Sequence, residues 1–537
     1  MDPDEFRRAG HAVVDWIADY WTTLGQRPVT SVDPPGALAA ALPAAPPTAG
    51  EPVEAVLADL DALVTPRLTH WQHPGFFGYF PANTSGPSVL GDLVSSGLGV
   101  QGMLWATAPA CTELETVMLD WLAGLLDLPQ RFRSHTRGGG VIQDSASSAT
   151  LVATLAALHR ASGGRWRDHG VDRRYRAYTS THGHSSIEKA ARIAGLGSEG
   201  VRAVEVDPDT QAMRPDALRA AIEADRAAGD LPAIVVSTIG TTSSTAVDPL
   251  PEIGAICAEY GIWLHVDAAY AGAAAVCPEL RWSHAGLEYA DSYCFDPHKW
   301  LLTGFDCDAF WVADRSELIE ALTVMPEFLR NAATESGAVI DYRDWQVPLG
   351  RRFRALKLWF VLRWYGVEGL RAHIRRGVAL AARFADRVRA DDRFELAAPH
   401  PFSLVCFRLR VATGPPADET AVSSSPAGAA AVGSSPAGAA AVGSSPAGAA
   451  AVGSSPAGEA AVSSSPASDG VGAELDAINA DLLARVNGTG RVHLTHTRVG
   501  GRYTLRLAVG SPQTAEAHVD EAWHLLDEAA TDLLGKV

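Results

Sequence analysis

The segment Tyr293-Cys294-Phe295-Asp296-Pro297-His298-Lys299-Trp300-Leu301-Leu302 places one lysine after a Pro-His pair, at the end of an apolar run and among aromatic and aliphatic neighbours. Desolvation lowers the pKa of such a lysine and makes its neutral amine available for Schiff-base chemistry; the alternative is a surface lysine whose stem lies along apolar residues. Upstream, Gly138-Gly139-Gly140 leads through Val141-Ile142-Gln143-Asp144 to Ser145-Ala146-Ser147-Ser148-Ala149-Thr150 and a helical stretch from Leu151. A glycine turn followed by small hydroxyl residues at a helix start offers free N–H groups and the positive end of the helix dipole, a cup suited to phosphate, although an ordinary serine cap accounts for the same residues. Between these segments Trp263-Leu264-His265-Val266-Asp267 ends on an aspartate. It is either a ligand-binding carboxylate at the carboxyl edge of a parallel sheet or the cap of the element that follows.

An aspartate that keeps a pyridinium nitrogen protonated, a phosphate cup and a Schiff-base lysine are together the three attachments that pyridoxal 5′-phosphate (PLP) requires. Metal chemistry is not expected: the pairs His182/His184 and His70/His73 have no third ligand near them in sequence.

The elements that must position these groups follow from periodicity. Short β-rich runs at Tyr175 to Ser180, Val201 to Val206, Ala233 to Thr238, Ile262 to Asp267, Asp291 to Phe295 and Ala309 to Ala313 alternate with helical stretches. Continuous apolar runs separated by helices predict an α/β architecture, a mainly parallel sheet covered on both faces. Val13, Trp16, Ile17 and Tyr20 fall at i, i+3, i+4 and i+7, an amphipathic helix that needs a partner surface. A Pro/Ala-rich stretch runs from Asp33 to Glu51. Beyond a long helical segment from about Arg351 to Asp391, strands at Ser403 to Val411 and Tyr503 to Ala508 and a helix marked by Val519, Trp523 and Leu526 predict a smaller α+β unit. Inside it the unit Ser424-Ser425-Pro426-Ala427-Gly428-Ala429-Ala430-Ala431-Val432-Gly433 recurs, with later prolines at Pro436, Pro446, Pro456 and, degenerately, Pro466. It has no large apolar side chains for a core, so about 415–470 is predicted to be a disordered insertion.

Several of these segments carry a family resemblance. Asp267-Ala268-Ala269-Tyr270-Ala271-Gly272 with Pro297-His298-Lys299-Trp300-Leu301 resembles the group II PLP-dependent amino-acid decarboxylases, in their aromatic-L-amino-acid branch. Trp71-Gln72-His73-Pro74, Phe76-Phe77-Gly78-Tyr79-Phe80-Pro81, Pro109-Ala110-Cys111-Thr112-Glu113-Leu114-Glu115, Ala177-Tyr178-Thr179-Ser180, His184-Ser185-Ser186 and Thr238-Ile239-Gly240-Thr241-Thr242 extend the likeness over nearly the whole chain outside the repeat. The resemblance implies a fold-type I (aspartate aminotransferase-like) large domain over 86–360, an N-terminal helical dimerisation segment over 1–85 and a small C-terminal domain over 361–537. It also implies an obligate homodimer with shared active sites. On the same basis Lys299 would be the cofactor lysine, Asp267 the pyridine-nitrogen partner, and Ala146, Ser147 and His298 the phosphate contacts. His184 would stack on the ring, Ala269 would pack against one face, and Thr242 would lie by the 3′-oxygen. Trp71, Tyr79, Phe80, Pro81 and Phe305 would line the substrate pocket. The implied reaction is decarboxylation of an aromatic L-amino acid to the arylalkylamine and CO2.

The chain departs from the family at an informative place. To form an amine, the Cα left by CO2 must be protonated by a positioned acid. The family attributes this to a loop tyrosine, where Val324-Met325-Pro326-Glu327-Phe328-Leu329-Arg330-Asn331 has Phe328. Phenylalanine keeps the ring without the hydroxyl and supplies no proton. Plant members with this change resemble aldehyde synthases, which couple decarboxylation to oxidative deamination and release aldehyde, ammonia and hydrogen peroxide. The competing expectations are therefore an amine, with His184 or water as proton donor, and an aldehyde. Gln101 and Met103 stand where animal relatives place apolar and aromatic residues from the partner subunit, which extends the substrate range to an aliphatic amino acid such as valine. Gly350 leaves room for a bulky ring and favours indole or phenyl. Asp296 and Asp144 put carboxylates where phosphate is expected to lie.

Composition sets the outer limits. Across 537 residues, 44 Lys+Arg against 62 Asp+Glu give a net charge of −18, which repels nucleic-acid phosphates and anionic membranes. The acidic start Met1-Asp2-Pro3-Asp4-Glu5-Phe6 and the lack of any run of about 18 apolar residues predict a cytoplasmic location. The six cysteines include no Cys-x-x-Cys pair and read as small buried hydrophobes.

Overall fold

The computed structural model describes residues 1–324, 329, 331–335, 338–410 and 466–535; Phe328 and all but the last few residues of the repeat lie outside these. Seven strands form the larger sheet: β1 (Gly139–Gln143), β2 (Tyr175–Ser180), β3 (Val201–Val204), β4 (Leu231–Thr238), β5 (Trp263–Asp267), β6 (Ser292–Phe295) and β7 (Asp308–Val312). Their order is β1-β7-β6-β5-β4-β2-β3. All neighbours from β6 to β3 pair in parallel, and β7 pairs antiparallel with both β6 and β1.

Successive side chains along each strand enter different cores, which explains why the sequence shows continuous apolar runs. Val141, Ile234, Val236, Trp263 and Phe310 meet the helix Ala146–Ser162 through Ala149, Val152, Ala153 and Ala156 on one face. Ile142, Val235, Leu264, Val266 and Trp311 meet the helices Pro109–Leu125 and Leu250–Tyr260 on the other.

The glycine segment expected to be a turn is strand β1 instead. Its glycines serve close packing: a Cβ on Gly140 would stand 2.7 Å from Trp311, and one on Gly138 would stand 2.6 Å from the Val312 carbonyl. The smaller sheet is antiparallel, ordered β10-β11-β9-β8, from β8 (Phe394–Leu396), β9 (Leu404–Leu409), β10 (Thr495–Val499) and β11 (Arg502–Ala508). It packs with the helices Arg354–Ala390, Pro466–Gly488 and Glu516–Leu534 around Phe384, Phe407, Leu482, Leu507 and Leu526. The last residues of the predicted insertion belong to the Pro466–Gly488 helix.

One buried ion pair ties the start of the long helix to the edge strand. Arg351 and Glu115 have fully buried side chains and pair directly. Arg351 also donates to Gln346 Oε1 at 2.6 Å, and Glu115 Oε1 accepts the Ile142 N–H at 2.7 Å. Breaking such a pair leaves an uncompensated interior charge, so Arg351→Met is expected to cost about 3–5 kcal/mol, read as a lower urea midpoint. Arg351→Met combined with Glu115→Gln should recover part of that loss.

The helix Pro3–Thr23 has no fully buried residue; Val13, Trp16, Ile17 and Tyr20 are half-buried and Tyr20 bonds His70 Nδ1 at 2.7 Å, so the described residues of its own chain cover the apolar stripe only in part. Among the described residues no helix is long and apolar enough to cross a membrane.

Candidate active site

The parallel register aligns Thr238 of β4 with Asp267 of β5, and Asp267 with Cys294 of β6, so the carboxyl ends of these strands open together into a cavity of about 240 Å³. Ser145, Ala146 and Ser147 line one end of it, and Thr238, Asp267 and Ala269 line its floor. His184, Thr242, Phe80, Phe305, His298 and Lys299 complete the wall. The structure thus gathers every cofactor-site residue singled out in the sequence. Of the pocket residues it brings Phe80 and Phe305 to the cavity. Trp71 and Tyr79 stack on each other at 5.5 Å and are both exposed, and Pro81 is buried against Gly510. Gln101, Met103 and Gly350 are not among the residues that line it; Gln101 Oε1 accepts the N–H groups of Met103 and Arg351 at 3.0 and 3.1 Å.

Lys299 departs from its expected charge state. Its Nζ lies 2.8 Å from Asp296 Oδ2, and its side chain is 27% exposed. Burial opposes the ammonium, but Asp296 and then Asp267 outweigh it, and the pKa is raised rather than lowered. Asp296 is buried and accepts the Ala146 N–H through Oδ1 at 3.1 Å. His298 accepts the Cys307 N–H at Nδ1 (3.1 Å), which puts its ring proton on Nε2, 3.6 Å from Asp296. His184 Nδ1 likewise accepts the Ser186 N–H at 3.2 Å and lies 2.8 Å from the Ser186 hydroxyl. Desolvation by the cavity wall lowers the pKa of His184 although the residue is open to solvent on its outer side, and with Nδ1 accepting, the N–H of the neutral ring is on Nε2.

The residues fit PLP. Ser145 begins the helix Ala146–Ser162 in extended backbone geometry without a side-chain capping bond, which removes the ordinary-cap reading and leaves its hydroxyl and the helix N-terminus for an anion. Asp267 is 4% exposed, with Oδ1 held by the Ala269 N–H at 3.0 Å. The buried Thr238 hydroxyl, on the same floor, has no partner. Amine, carboxylate and anion cup therefore surround one cavity. Asp144 is exposed, whereas Asp296 stands inside the cup.

Residues 35–410 match the family described as the pyridoxal-dependent decarboxylase conserved domain. The chain belongs to the pyridoxal-dependent decarboxylase family. It is a PLP-dependent carboxy-lyase by that membership. It is 41% identical over 540 residues to tryptophan decarboxylase 2 of Oryza sativa subsp. japonica, covering 100% of this chain and 97% of that protein. It is 42% identical over 537 residues to a phenylacetaldehyde synthase of Arabidopsis thaliana, covering 100% and 98%. The solved structure of Oryza sativa TDC with PLP and tryptamine superposes with a TM-score of 0.86 at 38% identity, covering 99% of each chain. The fold-type I expectation is thereby met.

Three features of this family member were missed in the sequence. Phe80 stacks on Tyr270 at 3.9 Å and Tyr270 on Trp300 at 4.9 Å, and the Tyr270 hydroxyl bonds Ser403, which ties the cavity wall to the small sheet. Arg506 of β11 lies over Phe80 at 5.4 Å and donates to the carbonyls of Thr242 (2.8 Å) and Ser243 (3.2 Å), clamping the cavity rim from the other sheet. Lys357 and Arg354 fix the Phe305 loop through the Phe305 carbonyl and Asp306, each at 2.9 Å. None of these contacts has a local sequence signal, because the hydrogen bonds among them join segments at least 48 residues apart.

Proposed function

We propose that the protein removes the α-carboxylate of an aromatic L-amino acid, releasing CO2 and the arylalkylamine. The observation that carries this reading is the single cavity that holds Lys299, Asp267 and a capless helix N-terminus beside the Phe80–Tyr270 stack. The likeness to tryptophan decarboxylase 2, whose name gives an aromatic amino acid and its decarboxylation, supports it. When bound, PLP supplies an electron sink for the pair left on Cα as the carboxylate departs. Lys299 would hold the cofactor covalently, and Asp267 would keep a proton on the ring nitrogen. Ala146, Ser147 and His298 would receive the phosphate, His184 and Ala269 would face the two sides of the ring, and Thr242 would lie by the 3′-oxygen. Phe80 and Phe305 would form an apolar wall that excludes water and orients the side chain of the substrate.

A homodimer completes this reading. The half-covered first helix, with exposed Leu90, Leu93, Leu98, Trp121 and Trp364, offers apolar surface for a second copy, which would bring Gln101, Met103 and Gly350 to the cavity. The protein would act in the cytoplasm, where its six buried thiols, none of them in a disulfide, stay reduced.

Aldehyde formation is the second reading, and two observations favour it. Phe328 has no hydroxyl, and His184 as a neutral Nε2–H imidazole is a hydrogen-bond donor but a poor acid. In that case amino acid, O2 and water would give arylacetaldehyde, CO2, NH3 and H2O2. Incubation of the PLP-loaded protein with L-phenylalanine, L-tyrosine, L-tryptophan or L-dopa in air separates the readings. Stoichiometric amine without peroxide establishes the first and overturns the second; aldehyde with matching peroxide and O2 uptake does the reverse.

A further inference from the structure

Two buried carboxyl groups meet behind the anion cup. Asp296, in the turn after β6, is 1% exposed, and Asp308, which opens β7, is 0% exposed. Neither oxygen of Asp308 has a donor among the described residues, and the amide of Gln143, its partner across the β1–β7 register, is committed to the Trp345 carbonyl at 2.8 Å. A fully buried carboxylate with no donor is untenable as an anion. The antiparallel pairing of Phe295 with Ala309 sets Asp296 and Asp308 side by side at the end of β6, so the remedy the geometry offers is a proton on Asp308 shared with Asp296. The surroundings keep that proton in place. Asp308 is faced by Asp296 and Lys299 from the turn after β6, Asp267 from β5, Tyr293 and Cys294 from β6, and Cys307 beside it. Burial and the neighbouring carboxylates hold Asp308 far above the usual carboxylate range, whereas Lys299 and His298 hold Asp296 below it in spite of its burial.

The same Asp296 occupies the cup. It takes the Ala146 N–H and the Lys299 ammonium, two groups that an arriving cofactor would engage with its phosphate and its aldehyde. We propose that Asp296 and Asp308 form a one-proton carboxyl pair that gates the phosphate end of the cavity, and that binding of the phosphate ester makes the pair take up a second proton. This rests on the PLP reading. With two protons the pair carries no charge beside the phosphate; with one, Asp296 repels it.

The test compares PLP with pyridoxal, which has the aldehyde and ring but no phosphate, so that the titration of Lys299 affects both ligands alike. Dissociation constants are measured by absorbance titration of the cofactor-free protein between about pH 7 and 9, where a phosphate monoester is already a dianion. In the wild type the preference for PLP over pyridoxal is expected to fall with rising pH, approaching tenfold per pH unit for one linked proton. Asp296→Asn, uncharged at every pH, should flatten that dependence and strengthen PLP binding most at the alkaline end. Asp308→Asn, which donates without a proton to share, should flatten it at the weak-binding level. A second readout needs no cofactor. Because folded Asp308 keeps a proton that the unfolded chain releases, the stability of the wild type relative to Asp308→Asn should fall as pH rises above about 4. If either asparagine variant is insoluble, the serine variant at that position replaces it. A wild-type preference independent of pH, or a slope that survives in Asp296→Asn, overturns the carboxyl pair while leaving PLP binding intact. Failure of the wild type to bind PLP at all overturns the cofactor reading and the pair with it.

Discussion

Alanine in place of Lys299 is expected to leave a folded protein that attaches no PLP covalently and turns over substrate on the order of 10³-fold more slowly or worse. Lys299 lines the cavity where helix N-terminus, Asp267 and His184 converge, and Lys357, the other buried lysine nearby, is bound to Asp92 and to the Phe305 carbonyl. Among the described residues no other lysine lines the cavity to take over. The fold should survive, because Lys299 makes one polar contact, to Asp296, which keeps the Ala146 N–H. Borohydride treatment followed by mass spectrometry should fix the cofactor to the peptide containing Lys299 in the wild type and to none in the variant. Turnover at the wild-type rate, or cofactor fixed elsewhere on the chain, would remove Lys299 from its role.

On the aldehyde reading, Phe328→Tyr is expected to move the product from aldehyde toward amine, with peroxide and O2 uptake falling in step. A positioned general acid contributes typically 10²–10⁴-fold to a proton transfer. Restoring the hydroxyl should therefore make protonation at Cα outrun the reaction with O2 if the phenol is what the chain lacks. His184 does not compensate: its Nδ1 is occupied by the Ser186 N–H and hydroxyl, and desolvation by the cavity wall keeps the ring neutral. His184→Gln in the Phe328→Tyr background separates the two donors, since amine output should persist without the imidazole. If the wild type and Phe328→Tyr give the same product ratio, the missing hydroxyl is not the determinant.

Much of the fold was legible because apolar periodicity survives without long-range information. Strands β2 to β7 lie within or close to the predicted runs, since a strand buried on both faces needs an unbroken apolar stretch wherever its partners are. β1 was not legible: three successive glycines read as a turn, and only the approach of Trp311 and the Val312 carbonyl explains why a strand must lack side chains there. β8, three residues long, and β10, Thr-His-Thr-Arg-Val, are held by pairing rather than by their own pattern. The site divides in the same way. Lys299, Asp267 and the Ser145–Ser147 segment stood out by type and position, whereas Arg506 and Tyr270 gave no local signal because their partners come from distant segments.

The lysine that carries the chemistry shows where the boundary falls. By itself the sequence determined which groups are present: an amine after Pro-His, a carboxylate at a strand end, small residues at a helix start, and a phenyl ring where a phenol is expected. Only the tertiary structure decided their charge states. It placed Asp296 and Asp267 around Lys299 so that the amine is held as a cation, left Ser145 free of capping, and buried Asp308 against Asp296. The reason is physical: residue types are local, but protonation depends on distance and desolvation, and those are set by which strands lie side by side.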